Sequence, residues 1–200
     1  MLLKKIKIHN YKKFDDFILE FDNNYSIMIG NNGAGKSTLL EAIHLALTGT
    51  INGKPIFYEL SPYIFNRKVV NQFIEEVKAD NKITPPETKI ELYFSLSEDS
   101  DLNELMGLEN SENINVPGFV FFIKFNEHYR EEYLQYIENE NFIHLPTEYY
   151  SVEWRSFAGK TITTRSIPVK SHLIDSTTTS LAASSQKYIM NIISDVLDEK

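Results

Sequence analysis

The chain contains no cysteine, which excludes disulfides and thiolate metal centres and makes a reducing compartment the natural setting. It has one tryptophan and no apolar run long enough to cross a bilayer, so a membrane is not expected among its partners. The first 13 residues mix apolar groups with lysine and do not make a signal peptide, so a cytoplasmic location is the expectation. Positive charge is also scarce: 20 Lys and Arg stand against 28 Asp and Glu, a net charge of −8. Residues 1–50 hold six lysines and five acids, leaving 14 basic residues against 23 acidic ones in the remainder. Binding nucleic acid through charge requires a basic face, so this composition does not by itself support DNA as a partner. With 42% hydrophobic and 12% aromatic residues, the 200 positions suffice for the core of one domain, or of one large domain with an insertion.

What is present is one glycine-rich stretch. Gly30-Asn31-Asn32-Gly33-Ala34-Gly35-Lys36-Ser37 fits the phosphate-binding pattern G-x-x-x-x-G-K-S/T in full. Glycines without a Cβ let successive N–H groups turn inward around an anion, and the helix that follows adds its positive end. Lys36 would reach the β- and γ-phosphates of ATP, and the Ser37 hydroxyl would ligate the Mg²⁺ bridging them. Thr38 is placed to bond the α-phosphate. The flanks suit the motif: Tyr25-Ser26-Ile27-Met28-Ile29 reads as a short buried strand, and residues 37–47 read as a buried helix ended by Gly49.

Elsewhere the pattern is mixed. Two strands, at 2–8 and 16–21, precede the loop as a hairpin, and Asn66 to Asp80 repeats apolar groups at helical spacing. Lys89 to Leu96 alternates as a half-buried strand, and Phe119 to Phe125 is a second apolar run able to pair with it. Tyr129, Tyr133 and Tyr136 share one side of a helix at 128–137, and Trp154 sits in a hairpin at 149–165. Both aromatic features read as core anchors rather than base-stacking platforms, because Glu127, Glu131, Glu132 and Glu138 would repel phosphates.

A short hairpin with the turn Asn10-Tyr11-Lys12, then the glycine-rich loop, then Leu40-Glu41-Ala42-Ile43, resembles the beginning of RecF and the SMC-like repair ATPases. The resemblance implies an α/β fold, a P-loop NTPase head of ABC/SMC-like type seen through its amino-terminal lobe, with an antiparallel β subdomain and helical insertions. It implies a head over residues 1–180, strand-rich at about 88–175, and the start of a truncated helix at 181–200. It also implies that Lys12, with Lys13 beside it, lies near the nucleotide; taken alone the pair reads as solvated lysines on a turn. Residues 167–178, together with the front end, resemble the OLD family of ATP-dependent nucleases.

No catalytic residue is identified. The acidic strand, signature and switch histidine of an ABC-type ATPase are not found: the 119–125 run leads into Asn126-Glu127, and Asp195 falls inside a helical pattern. The leading expectation is therefore Mg·ATP binding by residues 30–38. Hydrolysis would belong to a complete homodimeric protein that processes DNA, in repair or as an anti-phage nuclease. Two other readings share the loop: a nucleotide-gated interaction module without turnover, and a transporter nucleotide-binding subunit.

Overall fold

Alternation at the front of the chain produces a hairpin. Strand β1 (Leu3–Tyr11) pairs antiparallel with β2 (Phe14–Glu20), in a register that sets Ile6 opposite Leu19 and Tyr11 opposite Phe14. Period-2 patterning puts Ile6 and Ile8 on the buried face and Lys5 and Lys7 on the other. The computed structural model describes residues 2–22, 25–79, 84–95, 104–138, 143–173 and 189–190.

Helix α1 (Lys36–Thr48) follows the glycine-rich loop and ends where Gly49 takes a left-handed conformation, its N–H donating to the Leu45 carbonyl. A two-stranded ribbon of β3 (Thr50–Ile51) and β4 (Lys54–Pro55), a single helical turn α2 (Ile56–Glu59) and helix α3 (Arg67–Lys78) come next. Asn66 caps α3 by accepting from the Lys68 N–H, and Val70 and Phe73 form its buried side, as the spacing predicts.

The rest is strand-rich. Strand β5 (Thr88–Phe94) pairs with β1 on one side and with β7 (Val116–Phe125) on the other; β6 (Met106–Gly107) also pairs with β7. Helix α4 (Arg130–Ile137) follows, then β8 (Tyr150–Ser156) and β9 (Thr161–Ile162). Together they form a seven-stranded antiparallel sheet in the order β2-β1-β5-β7-β8-β9, with β6 alongside β7.

Register aligns Ile8, Ile90, Phe121 and Trp154 in one row across the sheet, and Ile6, Leu92 and Phe119 in the next. These rows and the buried side of α1 (Leu39, Ala42, Leu45, Ala46) belong to one core. Each fully buried Ile, Leu or Phe there contributes roughly 1.5–3 kcal/mol. Trp154 joins the two layers directly: its indole N–H donates to the Ala46 carbonyl at 2.7 Å and its ring lies 5.0 Å from Phe121. Tyr133 is buried against Phe125 at 4.7 Å, and Tyr149 touches the rings of Tyr129, Tyr133 and Tyr136, so these aromatics pack as anchors.

Three expectations change. β5 is covered on both faces, with Glu91 and Tyr93 as buried as Ile90 and Leu92. In α1, Leu40 is 43% exposed, so that helix has one wet side. Residues 25–29 form no strand, and Tyr25, Ile27 and Ile29 are 77%, 76% and 92% exposed. An extended segment becomes a strand only when a neighbour takes its N–H and C=O groups, and no described strand pairs with this one.

The chain divides into two compact units, Met1–Val169 and Lys170–Lys200. The second is described at 170–173, which has no regular structure, and at Ile189 and Met190, which are helical. The expected boundary at 180 and most of the expected final helix, Asp195 included, lie outside the described residues.

Candidate functional site

Residues 30–35 run without regular structure into α1, and two of their glycines carry the turn. Gly33 and Gly35 have φ of +75° and +104°, in the left-handed region that disfavours a Cβ. Gly35 occupies the cap position of α1 and brings no side chain to its first N–H groups, and the first turn holds no acidic residue. The amides of Lys36, Ser37 and Thr38 therefore point out of a positively polarised helix end with no capping side chain. A polyanion is what such an end accepts. Ala34 N–H donates to the Asn31 carbonyl at 3.1 Å, and the Lys36 ammonium reaches back to the carbonyls of Gly30 (2.5 Å) and Asn31 (3.0 Å). The loop is thus closed on itself by its own lysine. Ser37 is exposed on the first helical turn and Thr38 is half-buried beside it.

The β1–β2 turn rests on this loop. Lys13 donates through its ammonium to the Gly33 carbonyl, and a Cβ at Gly35 would come within 3.0 Å of the Phe14 ring. Lys12 pairs with Glu41 of α1 at 2.5 Å, and the buried Tyr11 hydroxyl donates to the same carboxylate oxygen. Burial, then the neighbouring carboxylate, pushes the Tyr11 hydroxyl far above the ordinary tyrosine range. Asn10 and Lys12 both have positive φ, +54° and +45°. Asn10 is held there by its amide donating to the Glu87 carbonyl at 2.6 Å, its Oδ1 accepting from Asn66 N–H at 2.8 Å, and its carbonyl accepting from the Thr88 hydroxyl. Lys12 N–H donates to the Ile64 carbonyl at 2.8 Å.

The geometry thus gathers residues 30–38, Lys12 and Lys13 at one corner of the molecule and adds Tyr11, Phe14 and Glu41 to them. Sequence reasoning assigned those three no role, although Tyr11 and Glu41 lie within the two flanking motifs, the Asn10-Tyr11-Lys12 turn and Leu40-Glu41-Ala42-Ile43. A groove of about 390 Å³ opens beside the corner, lined by Phe17, Leu19, Ile27 and Ile29, with Gly35 and Lys36 among its walls. No aspartate follows β7: Asn126 succeeds Phe125 and caps the next turn by accepting from His128 N–H at 3.1 Å.

A profile of the AAA domain matches residues 5–195, almost the whole chain. The chain belongs to the AAA domain family. Of individual relatives, this AAA domain is 31% identical over 77 residues to the DNA replication and repair protein RecF of Pasteurella multocida (strain Pm70), covering 36% of the chain and 22% of RecF. It is 45% identical over 49 residues to the DNA double-strand break repair Rad50 ATPase of Archaeoglobus fulgidus, covering 24% of the chain and 6% of Rad50. A solved structure from work on ATP-driven dimerization and DNA stimulated activation of SMC ATPases aligns over 82% of this chain and 74% of its own, at 13% identity and a TM-score of 0.44. The matches span less than a quarter of the length of RecF and of Rad50. The AAA domain described here joins the glycine-rich loop of a P-loop NTPase to an antiparallel sheet and helices. No described helix is long and apolar enough to cross a membrane.

Proposed function

We propose that residues 30–38 bind the triphosphate of Mg·ATP, and that the complete protein hydrolyses it as a homodimer coupled to DNA repair or to a nuclease of OLD type. The observation that carries this reading is the uncapped start of α1, flanked by left-handed Gly33 and Gly35, with the Lys36 ammonium lying across the loop. Backbone amides of the loop and of Lys36, Ser37 and Thr38 would hold phosphate oxygens. Lys36 would exchange its loop carbonyls for them, and Ser37 would offer its hydroxyl to Mg²⁺. Lys12 and Lys13 stand at the same corner as further cations. The names of the relatives, a DNA repair protein and a repair ATPase, support the DNA-linked part.

Calorimetric titration with Mg·ATP tests the site. Lys36→Ala should weaken binding tenfold or more, the loss of about 1.5–3 kcal/mol that goes with a charge-assisted contact. Equal affinity in the two proteins would remove the loop from the argument. A second reading has its own support: with Asn126 after β7 and no acidic strand among the described residues, this chain alone would bind ATP and switch a partner with little turnover. Phosphate release at buffer level, at protein concentrations that force dimers, would leave the switch alone standing.

A further inference from the structure

Glu41 is out of place if the corner exists only to attract phosphate. It lies one helical turn beyond Ser37 on the same face of α1, at the i, i+4 spacing that brings Cβ atoms to about 5–6 Å. A carboxylate there sets a negative charge one helical turn from where a polyanion would dock. Its oxygen is instead taken by the Lys12 ammonium at 2.5 Å and by the Tyr11 hydroxyl. The backbone at Lys12 is left-handed, a conformation a lysine keeps only when its surroundings impose it, and here the Ile64 carbonyl holds its N–H. Lys13, the next residue, is already on the loop at Gly33. Besides Lys36, two ammonium groups therefore stand at the site, and one of them, Lys12, is paired with a carboxylate.

We propose that Glu41 is a positioning residue that holds Lys12 back from the nucleotide, so that its carboxylate limits how tightly the triphosphate is gripped. The proposal rests on the reading of residues 30–38 as a nucleotide site. Glu41 competes with phosphate oxygens for one cation, and every nucleotide that recruits Lys12 must first displace the carboxylate. A merely structural ion pair, fastening the hairpin to α1, would act in the opposite direction, because its loss would loosen the corner and weaken binding.

The test is a four-protein cycle titrated with Mg·ATP at low salt: wild type, Glu41→Gln, Lys12→Met and the double variant. Glutamine keeps an oxygen for the Tyr11 hydroxyl, so the fold contact survives while the charge goes. Glu41→Gln should tighten binding three- to tenfold, and the gain should shrink as salt is raised. In the Lys12→Met background the same change should move affinity less than twofold. Weaker or unchanged binding in Glu41→Gln, or a gain that persists without Lys12, overturns the proposal. Lys36→Ala, measured alongside, separates the two readings. If wild type shows no Lys36-dependent binding, the nucleotide site itself fails and this proposal with it; if that binding is present and the cycle lacks the pattern, only the role of Glu41 fails.

Discussion

Gly35 bears two constraints at once, a φ of +104° and the Phe14 ring 3.0 Å from where a Cβ would sit. Gly33 bears only the first, since nothing lies within 4 Å of its Cβ position. A left-handed conformation costs an ordinary residue about 1–2 kcal/mol, so Gly33→Ala should lose that much stability. Gly35→Ala should lose more and should also weaken nucleotide binding, because the turn that aims the amides has to move. Thermal melts and Mg·ATP titrations of the two variants check the order; a Gly35→Ala protein as stable as Gly33→Ala would show that Phe14 yields freely. The loop was legible because its chemistry is local: glycines, lysine and serine within eight positions. The Lys12–Glu41 pair was not, because it joins positions 29 apart, and no periodicity says which of 28 acids a given lysine will meet.

Strand β5 shows what period-2 reasoning reaches and where it stops. Ile90, Leu92 and Phe94 mark the buried face, and the core holds them. Lys89, Glu91 and Tyr93 read as solvent-facing, yet the segment at Ser111 closes over them. The Glu91 carboxylate, 1% exposed as a residue, accepts from Lys89, from the Tyr93 hydroxyl at 2.5 Å and from Ser111 through both N–H and hydroxyl. Burial alone would raise its pKa, but these donors together outweigh burial and hold it below the usual carboxylate range. Glu112 is lowered by Lys7 and Lys5, and Glu153 by Lys124 and Arg155. A carboxylate whose pKa falls on folding stabilises the protein above its unfolded pKa, and that contribution disappears as pH drops through the folded value. Stability should therefore hold steady through neutral pH and fall below about pH 4.5, near the unfolded carboxylate values. Glu91→Gln should cost about 1–3 kcal/mol at pH 7 and flatten the acid limb. Melting curves from pH 3 to 8 check both, and an unchanged acid limb would deny Glu91 its part in it.

At the scale of the molecule, the sheet and α1 enclose a core, while residues 25–29 leave Ile27 and Ile29 in solvent beside β2, an edge of the sheet. The sequence pattern there, apolar groups just before the loop, is that of a buried strand, and composition cannot report whether a partner strand is present to bury it. Burial, not hydrophobicity, decides what a substitution costs. Phe121→Ala, at a fully buried position in the central row, should lose about 3–5 kcal/mol. The double change Ile27→Lys with Ile29→Lys should stay within about 1 kcal/mol of wild type, since each is a surface replacement. An apolar segment next to an open strand edge is also where chains associate, so the same double variant should sediment as a smaller species than wild type at high concentration. Denaturant melts and sedimentation velocity together decide the matter. If the lysines unfold the chain, residues 25–29 are packed after all; if the two proteins sediment alike, this segment does not bring copies together.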